Sequence, residues 1–341
     1  MPIIQNQDRG VMQKKIDVPV ALFIFKRTAS VLLILKVLEK IKPSKLYLIS
    51  DHGRNDLERK LVLDARKIIE NAVTWECEIF KRYQINNVGV YENIAGGAKW
   101  VFEHEDSAIF LEDDNLPEIT FFQYCSELLT KYKENDKVLW ICGSNYLEEC
   151  SPEDGASYVF SCNMLPCGWA SWKDKFNRYY DGDLSLYAEI DKKTLRNKYK
   201  NKKLFGQDMY NVEYELDYKD MHGHFYSWDY QMAFSMRFHE VYSIVPKFNQ
   251  IRNIGVDDKS IHGGNSLNDI MVERFCERKT KQLDFPLIHP TELAIDNAIE
   301  EALANVIVDP RFFSLKSIIS RLIRRAFCIN KTISIKDAFI K

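Results

Sequence analysis

The sequence predicts an α/β protein with a mixed, mainly parallel sheet flanked by helices, followed by a helical extension at the C-terminus. Apolar runs rich in strand-forming residues recur at 18–25, 45–50, 107–111 and 138–143, each of a length that suits one buried strand. Amphipathic stretches separate these runs, as expected where crossover helices connect parallel strands. This alternation predicts a sheet that is covered by helices on both faces.

The predicted elements follow one another in a regular order as far as residue 143. The first strand, VPVALFIF, leads into a helix whose apolar face includes Val31, Leu35 and Leu38. The second strand, KLYLIS, leads into an amphipathic helix at 55–69. The other predicted elements are helices at 99–104, 119–132 and 228–238, the strands SAIFL and VLWICG, a strand ending at Pro246, a Pro- and Gly-interrupted aromatic segment at 165–172, and a charged segment at 187–220.

Length and composition limit the class of protein. The 341 residues carry 47 Lys and Arg against 49 Asp and Glu, so no overall positive field favours a nucleic-acid partner. The eight cysteines lack paired spacings, which favours reduced thiols over disulfides or a zinc site. Because residues 1–17 hold no apolar signal sequence and no run reaches the ~20 apolar residues of a membrane span, we expect a cytoplasmic protein.

An acidic triplet follows the third predicted strand. Glu112, Asp113 and Asp114 come directly after SAIFL, and ligands bind at the carboxyl ends of strands in open α/β sheets. Adjacent carboxylates repel one another unless a cation offsets their charge. Oxygen ligands suit Mg²⁺ or Mn²⁺, which can bridge the phosphates of a nucleoside diphosphate. A solvated acidic turn that caps the next helix is the alternative interpretation of the triplet alone.

Two other predicted strands end in polar residues that should reach the same edge of the sheet. Arg27 follows the first strand, where a guanidinium can bind a phosphate or stack on a base. Asp51 follows the second strand, where its carboxylate can accept a hydrogen bond from a base or a ribose hydroxyl. Either residue alone is more often a helix cap or a surface charge, so the prediction depends on their convergence.

Two further residues are candidates on the second half of the chain. Asp229 opens a predicted helix after the stretch HGHFYS, where it is either a helix cap or a general base for an acceptor hydroxyl. His262 lies in the glycine-containing segment SIHGG, where it is either solvated or a ligand of phosphate or metal.

The order of these motifs resembles one family of enzymes. The segments ALFIFKRT, LYLISDHG, AKWVFEHEDSAIFLEDDNLPEITFFQY, KVLWICGSNY, LPCGWASWKDKF, SWDYQM and SIHG run in sequence over about three-quarters of the chain. This order is similar to that of GT-A (Rossmann-like) glycosyltransferases, especially the N-acetylglucosaminyltransferase I type and bacterial sugar transferases of polysaccharide gene clusters.

The resemblance implies a role for each matching residue. Asp114 would be the direct metal ligand, and His262 a second candidate for metal. The nucleotide sugar would be bound by Arg27, Asp51, Lys99, Glu112, Asp113, Gly168 and Trp169. Asp229 would be the base of an inverting displacement. Here Tyr230 follows it where related enzymes often carry a second acid, which leaves a single candidate base.

The resemblance also implies the domains, the cofactor and the substrates. Residues 18–145 would form the donor-binding half and 146–284 the acceptor-binding half of one catalytic domain, between a tail at 1–17 and an extension at 285–341. The donor would be a nucleoside-diphosphate sugar, such as a UDP-sugar, held with Mn²⁺ or Mg²⁺. The acceptor would be a glycan or a lipid-linked saccharide.

The C-terminal extension contains a basic amphipathic helix. Residues 312–327 place apolar side chains at helical spacing, and residues 311–341 hold eight basic residues against one acid, Asp337. Such a helix can lie on the inner face of an anionic membrane. Packing on the catalytic domain, or a homodimer interface, is the equally favoured alternative.

Two other functions fit parts of the sequence. A sugar nucleotidyltransferase also combines an α/β nucleotide-binding domain with acidic metal ligands, although the chain has no Gly-rich, Lys- or Arg-bearing phosphate loop near the N-terminus. A non-catalytic carbohydrate-binding protein is a third possibility, and the cluster of carboxylates argues against it.

Overall fold

The computed structural model describes residues 17–256 and 270–339. Its strands are β1 (Val20–Ile24), β2 (Lys45–Ser50), β3 (Glu78–Tyr83), β4 (Ser107–Glu112), β5 (Asn115–Pro117), β6 (Val138–Cys142), β7 (Tyr158–Ser161), β8 (Trp169–Trp172), β9 (Tyr242–Pro246) and β10 (Ile251–Asn253). Its helices are α1 (Thr28–Ile41), α2 (Asp56–Asn71), α3 (Gly89–Tyr91), α4 (Gly97–His104), α5 (Thr120–Lys131), α6 (Lys173–Tyr179), α7 (Lys192–Lys198), α8 (Lys202–His222), α9 (Asp229–His239), α10 (Ile270–Phe275), α11 (Asn297–Ile307), α12 (Leu315–Ala326) and α13 (Ile335–Phe339).

The main sheet has the strand order β3-β2-β1-β4-β8-β6-β9-β7. The first four strands in this order are parallel neighbours, and β8 then runs antiparallel between β4 and β6. The chain leaves β1 towards β2 on one side and returns to pair β4 on the other, so the strand order reverses at β1. The predicted mixed, mainly parallel sheet is confirmed. A small antiparallel sheet of β5 and β10 lies beside it.

Alternation along each strand divides the core into two layers. In β1, Val20, Leu22 and Ile24 pack in the layer that contains α1 and α5. Ala21 and Phe23 pack in the opposite layer with α4 and α9. All five side chains are buried because helices cover both faces of the sheet. The continuous apolar pattern of this strand, rather than an alternating one, follows from that burial.

The aromatic segment at 165–172 contains a strand that the sequence pattern obscures. Pro166 and Gly168 interrupt the segment, and each is normally read as a loop signal. The four residues that follow nevertheless form β8 at the centre of the sheet. Trp169 is 1% exposed, and its ring stacks between Phe110 and Trp140 at centroid distances of 3.9 and 4.0 Å.

The chain after residue 284 has two kinds of structure. Leu287 and Leu303 are buried in the core layers of the main sheet, so α11 belongs to the same core. An ion pair of 3.3 Å between Arg237 and Glu300 fixes α11 to α9. In contrast, α12 leaves large apolar side chains exposed. Among the helices of the described residues, none is long and apolar enough to cross a membrane.

Candidate active site

The carboxyl ends of β1, β2 and β4 meet at one edge of the sheet, where the strand order reverses. Arg27 lies three residues after β1, Asp51 directly follows β2, and Glu112 is the last residue of β4. All three line one cavity of about 1060 Å³. This position is where open α/β sheets bind their ligands, and the volume is at the upper end of the ~300–1,000 Å³ of small-molecule sites.

A guanidinium lies between two carboxylates of the acidic triplet. Arg27 Nη1 donates to Asp113 Oδ1 at 3.2 Å and to Asp114 Oδ2 at 2.9 Å. The same side chain donates through Nη2 to the carbonyl oxygen of Gly255 at 3.2 Å. Arg27 therefore supplies positive charge that offsets the adjacent carboxylates.

Asn115 fixes the orientation of the triplet. Its Nδ2 donates to Asp114 Oδ1 at 2.7 Å, and its Oδ1 accepts from the backbone N–H of Gly168 at 2.8 Å. The same oxygen accepts from the backbone N–H of Glu112 at 3.2 Å. Asn115 is buried, so these bonds hold the acidic turn against the start of β8. The sequence analysis missed Asn115, although its place beside the triplet was a signal.

Burial and mutual repulsion make the triplet hard to ionise completely. Burial, together with the charges of Asp114, Asp113 and Asp229, raises the pKa of Glu112 well above its usual range. Burial and Asp114 also raise the pKa of Asp113, while Arg27 opposes this rise. The pKa of Asp114 is raised by burial against the same opposing effect of Arg27. A cation that enters this site would relieve the repulsion.

Asp51 organises the loop that forms another side of the cavity. Its Oδ1 accepts from the backbone N–H groups of His52 and Val88 at 2.7 and 2.9 Å. Its Oδ2 accepts from Gly89 N–H at 3.0 Å and from Asn87 Nδ2 at 2.8 Å. Asp51 thus lines the cavity while it holds residues 87–89 in place, and a contact with a base or ribose stays a prediction.

The opposite side of the cavity is built from helices α8 and α9. Asp229 is the first residue of α9, as predicted, and its carboxylate forms a hydrogen bond with the hydroxyl of Ser227. Both Asp229 and Glu112 line the cavity, and the charge of Asp229 is among the causes that raise the pKa of Glu112. Below we call Arg27, Glu112, Asp113 and Asp114 the strand-end wall, and Asp208, Asp229, Tyr230 and Arg237 the helix wall.

The sequence analysis missed most of the helix wall. Burial raises the pKa of Asp208 to about 6, against the opposing charge of Arg237. Behind the wall, Glu215 Oε2 accepts the backbone N–H groups of Tyr226 and Ser227 at 2.9 and 3.1 Å. Burial raises the pKa of Glu215 to about 7. The local pattern gave no signal for these residues because α8 is charged along its whole length.

Three predicted site residues do not line the cavity. Lys99 is exposed on α4, where its ammonium lies 5.7 Å from the ring centroid of Tyr180. Trp169 is a core residue of β8, and Gly168 (φ 61°) packs against Ile251, which leaves no room for a side chain. The structure thus places these three residues apart from those that line the cavity. His262 lies outside the described residues.

The donor atoms of the strand-end wall suit a small divalent cation that arrives with a ligand. Among residues 17–256 and 270–339, no group of three or more His, Cys, Asp or Glu is arranged to hold a metal. Mg²⁺ is commonly bound through one or two carboxylates together with substrate phosphates and water. Asp113 and Asp114 offer two carboxylates of this kind, and Asn115 would orient the second of them.

The chain has distant similarity to known proteins in structure but no match in sequence. No protein-family model matches the chain, and no curated protein sequence matches it. Among solved structures, the chain is similar to a UDP-glucose pyrophosphorylase, both in complex with UDP-glucose and in its apo form. In each case the identity is 12%, the TM-score is 0.35, and the similarity covers 69% of this chain and 93% of the other. A likeness of this strength assigns no activity to the chain.

Proposed function

We propose that the protein is a glycosyltransferase that moves a sugar from a nucleoside-diphosphate sugar to a hydroxyl of a glycan or lipid-linked saccharide. The observation that carries this proposal is one cavity lined both by Arg27 with the acidic triplet and by Asp229 at the start of α9. Glycosyl transfer needs positive groups that stabilise the negative charge of the leaving diphosphate, and a base for the attacking hydroxyl. The strand-end wall would supply the first and the helix wall the second.

The strand-end wall would bind the donor. Arg27, Lys26 and Arg54 all line the cavity and can donate to phosphate oxygens. Lys26 and Arg54 are held by Glu58, at 2.8 and 2.5 Å, so their side chains are already positioned. Asp51 lies in the same cavity, where a contact with the ribose or base is part of the proposal.

Asp114 would hold a divalent cation together with the donor diphosphate. Asp113 and Glu112 would lie beside it against the ribose and the sugar. When bound, Mn²⁺ or Mg²⁺ would neutralise charge on the leaving diphosphate. The guanidinium of Arg27 offsets Asp113 and Asp114, and a cation held by Asp114 would supply positive charge in its place. Arg27 would then be able to bind a phosphate oxygen instead.

The helix wall would bind and activate the acceptor. Asp229 would accept the proton of the acceptor hydroxyl while that oxygen forms a bond to the anomeric carbon of the donor sugar. The bond from that carbon to the diphosphate breaks, and the diphosphate leaves with the electron pair. Attack from the side opposite the leaving group inverts the configuration at this carbon. The hydroxyl of Ser227 donates a hydrogen bond to Asp229 and would keep its carboxylate oriented.

The products distinguish this proposal from a sugar nucleotidyltransferase. The purified chain should be incubated with a panel of nucleoside-diphosphate sugars, Mn²⁺ and saccharide acceptors, and separately with nucleoside triphosphates and sugar 1-phosphates. We expect nucleoside diphosphate in the first reaction. Pyrophosphate in the second reaction would instead identify a nucleotidyltransferase. Glycan binding that needs neither nucleotide nor metal would identify a non-catalytic carbohydrate-binding protein.

Asp114→Ala tests the metal assignment within the same assay. We expect the metal-dependent rate to fall by roughly 10²-fold or more, because a bound cation contributes several kcal/mol of charge stabilisation. Asp106→Ala is the matched control, since Asp106 is an exposed acid just before the other end of β4. Asp114→Asn separates loss of charge from loss of packing. An unchanged rate in folded Asp114→Ala would show that Asp114 holds no catalytic cation.

A further inference from the structure

Helix α12 has two faces with different surroundings. Its outer face exposes Leu315 (73%), Ile319 (47%) and Leu322 (61%). Its inner face lines the cavity of the candidate active site through Ser317, Ser320 and Arg321, and the exposed Lys316 between the two faces also borders this cavity. The helix is therefore part of the cavity wall, although its own apolar stripe points away from the protein.

The helix is fixed in this orientation by contacts with α8 and with the segment before it. Arg321 Nη1 donates to the carbonyl oxygen of Phe312 at 2.6 Å and to Ser317 Oγ at 2.8 Å. The Phe312 ring lies 5.3 Å from that of Tyr210 on α8. Beyond the helix, the backbone N–H of Lys331 donates to Asp217 Oδ2 at 2.8 Å. Because both ends are held, the apolar stripe is a fixed part of the surface.

The charges around the stripe are strongly biased. Residues 311–339 carry seven Lys or Arg against the single acid Asp337. Lys316, Arg325 and Lys336 are exposed, and none of them forms an ion pair within the described part of the chain. Exposed apolar side chains framed by unpaired basic residues are complementary to an anionic lipid surface.

We propose that α12 docks on an anionic lipid bilayer, with Leu315, Ile319 and Leu322 inserted among the lipids. This would place the candidate active site directly behind the helix and next to the bilayer surface. In its second part, which rests on the proposed function, the inference assigns a lipid-linked saccharide as the acceptor. Its anchor would remain in the bilayer while its sugar reaches Asp229.

A second copy of the chain is the main competing occupant of the stripe. A two-fold contact would place the same surface of both subunits together. It would therefore bring residues 311–339 of both copies together, and each copy carries seven basic residues and one acid in this segment. Like charges in contact oppose association, so this charge pattern favours an anionic surface over a second copy.

Vesicle sedimentation of the full chain tests the docking. We expect binding to vesicles of phosphatidylglycerol and phosphatidylcholine, little binding to phosphatidylcholine alone, and weaker binding at high salt. The pair Leu315→Asn and Leu322→Asn should lower binding by roughly tenfold or more. The pair Leu57→Asn and Leu63→Asn is the matched control, because these leucines are 71% and 46% exposed on α2. It should bind vesicles like the wild type.

Three results would overturn the docking. The first is absence of sedimentation of the wild type with phosphatidylglycerol vesicles at low salt, and the second is wild-type binding by the α12 pair. The third is a wild-type dimer that the α12 pair converts to a monomer. The vesicle experiment contains no nucleotide sugar, so retained binding with no turnover contradicts only the proposed function. If the wild type does not bind the vesicles but turns over a water-soluble acceptor, only the docking is contradicted.

Discussion

The two walls of the cavity hold their carboxylates in different ways. In the strand-end wall, one guanidinium lies between Asp113 and Asp114. In the helix wall, Asp229 is bonded to the hydroxyl of Ser227 and forms no ion pair within the described part of the chain. A cation partner favours the anionic form and serves electrostatic binding. A hydroxyl partner orients a carboxylate but adds no positive charge beside it.

Under the proposed function, this difference would separate donor binding from proton transfer. The strand-end wall combines three carboxylates with Arg27, and Lys26 and Arg54 line the same cavity, a combination that suits a diphosphate and its cation. The helix wall would supply a base to the acceptor hydroxyl. If the assignment is right, substitutions in the two walls should produce different kinetic and thermodynamic changes, and the predictions below follow from that difference in order of expected size.

The largest effect is expected on the helix wall. Asp229→Asn keeps the size of the side chain but removes its capacity to accept a proton. We expect kcat for transfer to fall by about 10²–10⁴-fold, the usual contribution of a general base. Donor binding should be unchanged, because the donor contacts lie on the other wall. Steady-state kinetics with acceptor, and titration of the donor by calorimetry, measure the two quantities.

Asp296→Asn is the matched control for that variant. Asp296 precedes α11 and accepts backbone N–H groups there, but it does not line the cavity. It should retain the wild-type rate. Retained turnover by Asp229→Asn would remove Asp229 as the base, and a parallel loss of donor binding would show that the two walls are not separate.

A smaller effect is expected from the support of the strand-end wall. Asn115→Ala leaves Asp114 without its 2.7 Å partner and two buried N–H groups without an acceptor. We expect the free energy of unfolding to fall by about 1–3 kcal/mol, as measured by urea denaturation. Donor affinity should fall as well, because Asp114 loses its orientation.

Asn253→Ala provides the comparison. Asn253 Nδ2 also donates to Asp114 Oδ1, but at the longer distance of 3.4 Å, and Asn253 Oδ1 accepts from the backbone N–H of Gly255 at 2.9 Å. Its removal should cost about 1 kcal/mol or less. Equal losses in the two variants would mean that Asn115 does not hold the acidic turn.

The strand-end wall could be predicted because its residues are adjacent to strong local signals. Arg27, Asp51 and the acidic triplet each follow a short apolar run, and all of them line the cavity. Parallel strands bring their carboxyl ends to one edge, so the position in sequence translates directly into a position in space.

The helix wall depends on packing that local patterns do not record. Asp208 and Arg237 come from two helices whose cavity-facing sides are set by contacts between α8 and α9. Trp169 illustrates the opposite error. The family resemblance implied that Trp169 binds the nucleotide sugar, but β8 inserts between β4 and β6 and carries the ring into the core. Such insertion is long-range, and no feature near residue 169 indicates it.

The smallest effect on the transfer reaction is expected from Glu215, which supports the helix wall from behind and whose removal changes the pH dependence of stability. Burial raises its pKa from 4.5 to about 7 in the folded protein. The folded protein therefore keeps a proton that the unfolded chain releases, so this group lowers stability as pH rises from about 4.5 to about 7. Glu215→Gln lacks this effect and can still accept the N–H groups of Tyr226 and Ser227. We expect its free energy of unfolding to improve relative to the wild type between pH 5 and pH 8.

Glu213→Gln, two residues away on α8, gives the control with the opposite sign. Bonds to Tyr187 and Lys192 lower the pKa of Glu213 despite its partial burial. The stability that ionised Glu213 contributes is therefore present above the pKa that this residue has in the unfolded chain, and it is lost only at lower pH. Relative to the wild type, this variant should show a constant difference from pH 5 to pH 8, measured by urea denaturation at each pH. If Glu215→Gln gave an equally constant difference, the raised pKa of Glu215 would be wrong. The acid behind the helix wall would then be ionised throughout this range, like the cation-bound Glu213.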